Sequence, residues 1–216
     1  MKKSIFAVLF IFAVVSVYSQ TGVIREFTGD VELKPAGAAN FTPARQGSTV
    51  AQDTVISTGF RSTAIIVIGS AEITIRPLTR LTLAEIQSAS ETETLNVNLQ
   101  TGRVRVAVNP PAGTRANTTV QTPSATASVR GTSFSVGVDN IDGHSGKTNY
   151  KSNSTGLSTS ITSGFKSESN TTGGVTNPND MLTKSLLPGQ PGTGDSSDLE
   201  SSLEIVMGGL VVSVEN

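Results

Sequence analysis

The chain has no cysteine and no tryptophan, and aromatic residues make up only 5% of its 216 residues. Without cysteine it has no disulfide framework, no thiolate metal site, no thiol nucleophile and no lipid on an N-terminal cysteine. The scarcity of aromatic side chains indicates a core built mainly from Val, Ile and Leu. A chain of this length can form one β-rich domain of ordinary size, with or without a tail.

Charged residues are also few, at 15% of the chain, and the formal net charge is -1. Proteins that bind nucleic acids usually carry a basic face or stripe, and the overall composition shows no basic excess. We therefore predict that nucleic acid is not a partner.

The first residues have the three parts of a secretory signal. Lys2 and Lys3 give a positive start, an apolar run follows from Ile5 to Val17, and small residues precede Gln20. The run is shorter than the roughly 20 apolar residues that span a bilayer. We predict a bacterial signal peptide over 1–19 and a mature protein in the periplasm or outside the cell, without a stable transmembrane anchor. A retained N-terminal anchor is the alternative.

Apolar and polar residues alternate along much of the chain, which is typical of β-strands with one buried face. Regular short strands separated by Gly, Pro or polar breaks predict an all-β fold of short stacked antiparallel strands, either β-solenoid-like or a sandwich. Only 83–90 has weak helical character. The alternating groups are Val31/Leu33, Ile65/Val67, Ile73/Ile75, Leu81/Leu83, Leu95/Val97/Leu99, Val104/Val106/Val108 and Phe134/Val136/Val138.

Composition divides the mature chain into three parts. Residues 20–141 carry the alternating pattern and form the predicted β domain. Residues 142–202 are rich in Ser, Thr, Gly and Asn, which predicts a polar flexible insertion with two weak strands near Tyr150 and Ile161. Residues 203–216 are apolar again and are predicted to form a C-terminal strand that returns to the core.

Two motifs resemble ligand loops without meeting their requirements. GHSGKT, residues 143–148, ends like a phosphate-binding loop, but Ile141 stands where that loop needs its first Gly. DNIDG, residues 139–143, is rich in oxygen ligands, but Val138 and Asn149 occupy the first and last ligand positions of a calcium loop. We interpret both motifs as polar turns and predict no metal and no cofactor.

Catalytic residues are not apparent. His144 is the single histidine and lies in the polar region without a nucleophile motif. Glu85, Glu91 and Glu93 could supply a carboxylate pair for sugar hydrolysis, but their spacing favours a solvated strand face. The sequence therefore predicts that the protein is not an enzyme.

Four segments carry a family resemblance: GVIREFTGDVELKP (22–35), Gln46 to Leu83, LNVNLQTGRVRVAV (95–108) and TPSATASVRGTSFSV (122–136). Together they resemble the FecR domain family, and the last segment is the most distinctive. The resemblance implies an all-β extracytoplasmic domain and a strand–Gly–strand hairpin over 95–108. In regulatory members this domain contacts the signalling domain of an outer-membrane transporter, and a cytoplasmic segment controls a sigma factor through a membrane helix. Because the apolar run stands so near the start of the sequence, we expect this protein to function without the usual cytoplasmic anti-sigma segment.

The residues of the distinctive motif are expected to be mainly structural. Pro123 suits a strand edge or start, Gly131 can turn the chain with a positive φ, and Phe134 begins a core-facing series. Arg130 alone has obvious ligand potential, because its guanidinium matches a carboxylate; the alternative is pairing within its own domain. The motif residues are Thr122, Pro123, Val129, Arg130, Gly131, Thr132 and Phe134.

The first functional hypothesis is a non-enzymatic bacterial envelope protein whose FecR-like module binds another envelope protein in signalling, for example by strand addition at a sheet edge. The second is a structural or surface-displayed adhesive protein. The third is a module that binds glycan. The sequence does not identify the partner or the oligomeric state.

Overall fold

The structure, a computed structural model, describes residues 20–89, 91–169 and 174–176. These residues form strands connected by turns, and no helix occurs among them. The strands are β1 (Gly22–Thr28), β2 (Val31–Lys34), β3 (Thr42–Pro43), β4 (Thr49–Val50), β5 (Val55–Thr58), β6 (Thr63–Ile68), β7 (Ala71–Ile75), β8 (Arg80–Ala89), β9 (Thr92–Thr101), β10 (Arg103–Val108), β11 (Arg115–Gln121), β12 (Ala125–Val129), β13 (Ser133–Gly137), β14 (Asn140–Ser145), β15 (Lys147–Ser152), β16 (Ser158–Thr162) and β17 (Lys166–Glu168).

The strands form two sheets that enclose one hydrophobic core. The first sheet has eight strands in the order β17-β14-β13-β10-β7-β6-β1-β4, and the second has nine in the order β16-β15-β12-β11-β9-β8-β5-β2-β3. Neighbouring strands are antiparallel except β9 and β11, which are parallel. The predicted all-β, sandwich-like fold is confirmed. No helix capable of crossing a membrane lies within the described ranges.

The chain crosses repeatedly from one sheet to the other. Each crossing between the described strands contains one residue with positive φ, mostly Gly, with Asp53, Arg61 and Leu78 as the non-glycine cases. A left-handed residue reverses the backbone within a short connection, so it can send the next strand onto the opposite layer. The predicted hairpin over 95–108 is wrong for this reason. Gly102 connects β9 of the second sheet to β10 of the first, and β10 pairs with β7 and β13 instead.

Alternation in the sequence locates most of the core correctly. The predicted groups in β2, β7, β8, β9 and β10 are buried, as expected for one face of a strand. In β6 the buried residues are Ala64, Ile66 and Ile68, whereas Ile65 and Val67 are only partly buried. This strand is apolar on both faces, so its pattern could not indicate which face turns inward.

The weak helical expectation for 83–90 is wrong as far as Ala89, because these residues belong to β8. The pairing of β8 with β9 shifts register between Leu83 and Glu85, and Ile86 is consequently buried. Such a bulge interrupts strict alternation. The interrupted period is what gave this segment its partly helical appearance.

Ordered strands continue beyond the predicted domain boundary at 141/142, which falls inside β14. The two weak strands expected near Tyr150 and Ile161 correspond to β15 and β16, and both side chains are fully buried. Small hydroxyl side chains share this part of the core, because Thr148 and Ser152 are also buried. Residues 1–19, 177–202 and 203–216 lie outside the described residues, so the signal peptide, the remainder of the polar insertion and the C-terminal strand remain predictions.

Candidate binding surfaces

The distinctive motif is a crossing between the two sheets. Gly131 has a φ of 81° and leads from β12 in the second sheet to β13 in the first. Val129 precedes this turn and Phe134 follows it, and both are buried. Val136 is buried as predicted, whereas Val138, expected in the same core-facing series, is only partly buried.

Thr122 and Pro123 lie in the turn between β11 and β12. The Thr122 hydroxyl accepts a hydrogen bond from the Ala125 amide at 3.0 Å and donates one to the Val138 carbonyl at 2.8 Å. The Val138 carbonyl follows β13 of the first sheet, so this hydrogen bond connects it to the β11–β12 turn of the second sheet. Pro123 is exposed in this turn, where the absence of an amide hydrogen costs nothing. The contacts of Thr122 explain why a hydroxyl residue begins the motif.

Arg130 is exposed and has no hydrogen bond or ion pair within the described part of the chain. Val129 pairs with Thr148, so Arg130 and Lys147 both lie next to this pair; Lys147 is also exposed and without an ion pair there. The two cations line an open cleft of about 830 Å³ on the outer side of the second sheet. The rest of its lining is polar except Val129: Asn117, Thr118, Thr119, Ser128, Thr132, Asn149 and Ser160.

The cleft is part of a larger surface, which we name the basic face: the outward side chains of β11, β12, β15 and β16, with Arg130. These four neighbouring strands contain no Asp or Glu. Arg115, Arg130, Lys147 and Lys151 supply its positive charge. The near-neutral net charge of the chain concealed this surface. The signal that could have revealed it is the absence of acidic residues from both 115–132 and 147–162.

A second surface lies at the crossings β5–β6 and β7–β8. Phe60 is 70% exposed and Leu78 is 60% exposed. The Leu78 amide donates a hydrogen bond to the Gly59 carbonyl at 3.1 Å, so the two loops lie side by side. The Arg61 guanidinium lies 5.4 Å from the centre of the Phe60 ring. We name Phe60, Arg61 and Leu78 the apolar patch; sequence reasoning missed it.

The acidic and histidine candidates have partners within the fold. Asp142 of the DNIDG motif pairs with Arg103 at 2.7 Å and with Lys166 at 3.6 Å. His144 Nε2 and the Ser135 hydroxyl form a hydrogen bond of 2.7 Å. Burial lowers the pKa of His144, and the positive charge of Arg105 lowers it further. This arrangement favours the neutral imidazole and gives Asp142 a structural role.

The three glutamates considered for a catalytic carboxylate pair form hydrogen bonds to different partners. Glu93 accepts hydrogen bonds from the Ser70 amide at 2.9 Å and the Ser70 hydroxyl at 2.5 Å. Glu85 accepts one from the Asn96 side chain, and the Glu91 carbonyl accepts one from the Arg115 amide. Among the described residues, no group of three or more His, Cys, Asp or Glu side chains could hold a metal ion.

The part of the chain that contains most of these surfaces matches a known protein family. Residues 54–151 match the family model described as FecR protein. This part of the chain is similar to a FecR domain, and we refer to it as the FecR domain. This domain runs from the residue before β5 into β15, so it contains the apolar patch together with Arg130 and Lys147. No curated protein matches the chain significantly.

Two crystal structures of a protein described as a "putative anti-sigma factor from Parabacteroides distasonis ATCC 8503" resemble the chain, each at 16% sequence identity and a TM-score of 0.46. The similar region covers 56% of this chain and 57% of theirs. The chain therefore spans little more than half the length of these structures. The flanking strands β1 to β4, β16 and β17 extend the two sheets on either side of the FecR domain.

Proposed function

We propose that the protein is a non-enzymatic, exported bacterial envelope protein whose FecR domain docks onto another envelope protein in a signalling or regulatory complex. The match of residues 54–151 to the FecR family supports the regulatory role, and the signal-like segment over 1–19 supports export to the periplasm or beyond. The observation that carries the docking proposal is the apolar patch.

The backbone at the patch supports a role beyond packing. Arg61 and Leu78 have φ values of 56° and 54°. A left-handed conformation costs a residue other than Gly about 1–2 kcal/mol, and the position after Pro77 in such a turn is usually taken by Gly or Asn. The backbone conformation of Leu78 therefore lowers the stability of the fold, and its exposed side chain gains no burial in return. Strain of this kind is found preferentially at functional sites, but each crossing of this fold has one left-handed residue, so the exposure of Leu78 is the stronger sign of function.

The composition of the patch fits a protein partner. Aromatic residues and arginine are enriched among the residues that dominate binding energy at protein interfaces. Phe60 and Leu78 are two of the four large hydrophobic side chains that are most exposed in the described structure. We expect the partner to offer an apolar pocket for Phe60 and Leu78 and a carboxylate for Arg61, because an arginine buried at an interface needs a counter-charge.

The experiment is photo-cross-linking in the native envelope. A photoreactive phenylalanine analogue replaces Phe60 in one variant and Leu157 in the control. Leu157 is similarly exposed, at 61%, but lies between β15 and β16. We expect position 60 to capture one specific protein, identified by mass spectrometry, and position 157 not to capture it. Equal capture at both positions, or no capture at position 60, would contradict docking through the patch.

The basic face favours a second candidate function, the binding of glycan. The basic face is a different surface from the apolar patch. Its polar side chains have few apolar neighbours and are suited to a ligand rich in hydroxyl groups.

A further inference from the structure

The basic face combines positive charge with a regular array of hydrogen-bonding side chains. Its central row, perpendicular to the strands, consists of Thr119, Ser128, Asn149 and Ser160, which the register places opposite one another. Adjacent strands are about 4.8 Å apart, so each row presents a polar group at that interval. Aligned rows of this kind form a periodic surface, and the cleft on it is open rather than closed.

The cations occupy the rows on either side of this central row. Arg130 and Lys147 flank the last pair of β12 and β15, Val129 and Thr148, and both line the open cleft, whereas Lys151 lies opposite Thr126 on the other side. Like charges on neighbouring strands of a sheet repel each other. No carboxylate within the described ranges neutralises Arg130, Lys147 or Lys151. An external anion would relieve this repulsion, and the Arg130 guanidinium can hold a carboxylate through two parallel hydrogen bonds.

The residue types of the basic face indicate which class of anionic ligand fits it. Single-stranded nucleic acid binds by stacking on aromatic rings, and the outward side chains of β11, β12, β15 and β16 include none. A lipid surface needs apolar side chains that insert, and a stable protein interface needs an apolar or aromatic centre. Amides and hydroxyls, by contrast, both donate and accept hydrogen bonds and match the hydroxyl groups of sugars.

We propose that the basic face binds an acidic polysaccharide, a polymer whose sugar units carry carboxylates. Arg130, Lys147 and Lys151 pair with the carboxylates. Asn149, Asn117 and the row of hydroxyls hydrogen-bond the sugar hydroxyls between them. This binding site is separate from the apolar patch, so it does not depend on docking of a partner protein.

The test measures binding of the mature chain, Gln20–Asn216, to polygalacturonate by titration calorimetry at low and moderate salt. Dextran is the neutral control, and polyglutamate is the acidic polymer without sugars. We expect polygalacturonate to bind, with a dissociation constant that rises with salt because ion pairs are screened, and both controls to bind at least tenfold more weakly.

The matched variants remove two charges each. R130Q/K147Q removes the paired cations of the basic face, whereas K34Q/R45Q removes one Lys and one Arg near β2 to β4. We expect R130Q/K147Q to weaken polygalacturonate binding at least tenfold and K34Q/R45Q to change it less than twofold. Asn149→Asp, which adds a carboxylate to the central row, is expected to weaken binding as well.

Three results would overturn the proposal. The first is polygalacturonate binding no tighter than dextran binding, and the second is equal affinity of R130Q/K147Q and K34Q/R45Q for polygalacturonate. Polyglutamate binding as tightly as polygalacturonate would show that the face recognises negative charge rather than an acidic sugar polymer. Thermal unfolding of each variant, compared with the wild type, establishes that a loss of binding is not a loss of folding.

Discussion

Arg103 of β10 forms an ion pair of 2.7 Å with Asp142 of β14, although β13 lies between these two strands in the first sheet. The same guanidinium donates a second hydrogen bond of 2.7 Å to the Asn140 side chain. One arginine from the centre of the FecR domain therefore contacts both sides of the predicted boundary at 141/142, because Asn140 precedes it and Asp142 begins the predicted polar insertion. The contact explains why a segment rich in turn residues is ordered against the sheet.

We expect the coupling between Arg103 and Asp142 to exceed that of an ordinary surface pair. Arg103→Gln, Asp142→Asn and the double variant form a cycle, measured by chemical denaturation. The control cycle uses Arg25 and Glu72, which also lie 2.7 Å apart but are more exposed, at 51% and 39% against 38% and 23%. Exposed pairs contribute about 0.2–1 kcal/mol, and the first coupling should be the larger. Equal couplings would contradict a special role for Arg103.

The crossing at Gly146 should tolerate a side chain less well than the crossing at Gly113. Both glycines have positive φ, but a β-carbon at Gly146 would overlap the Thr132 side chain, whereas one at Gly113 would meet nothing within 4 Å. We expect Gly113→Ala to cost about 1–2 kcal/mol of unfolding free energy, the left-handed penalty alone. Gly146→Ala should cost at least about 1 kcal/mol more. Equal losses in denaturant titrations would show that the Thr132 contact is not limiting.

Tyr150 should make the protein sensitive to alkali. Burial raises its pKa to about 12, Asp139 adds to the shift, and Ser124 opposes it. The unfolded chain loses this proton near pH 10 while the folded chain keeps it. The stability contributed by the protonated phenol is therefore complete below pH 10 and is lost as the pH rises towards 12.

Two measurements test this shift. In a protein that begins at Gln20, Tyr150 is the single tyrosine and tryptophan is absent, so tyrosinate absorbance reports its titration directly. Between pH 8 and pH 11 we expect the wild type to lose roughly 1 kcal/mol more unfolding free energy than Tyr150→Phe. A midpoint near pH 10 in the folded protein would contradict the burial of the phenol.

The sequence predicted the fold class and most of the core because alternation is a local property. It did not distinguish a hairpin from a crossing at Gly102. A glycine between two alternating strands is compatible with both, and the outcome depends on pairing of β10 with β7 and β13. The basic face was missed for a similar reason, since β12 and β15 become neighbours only through long-range pairing. The strained φ of Leu78 has no sequence signature, because Gly or Asn is the residue expected there.

The most direct test of docking through the apolar patch compares Leu78→Gly with the wild type in both folding and binding. Glycine relieves the left-handed strain of about 1–2 kcal/mol but loses about 0.5–1 kcal/mol to chain entropy. We expect the unfolding free energy to be unchanged or raised by up to about 1 kcal/mol. The affinity for the partner captured at position 60 should fall at least tenfold, about 1.4 kcal/mol.

Leu157→Ser serves as the control for an exposed leucine outside the patch, and it should leave that affinity unchanged. The predicted result is a loss of affinity without a loss of stability in Leu78→Gly, with Leu157→Ser binding like the wild type. If Leu78→Gly binds the captured partner as tightly as the wild type does, the exposed leucine has no role in recognition and the docking account is wrong.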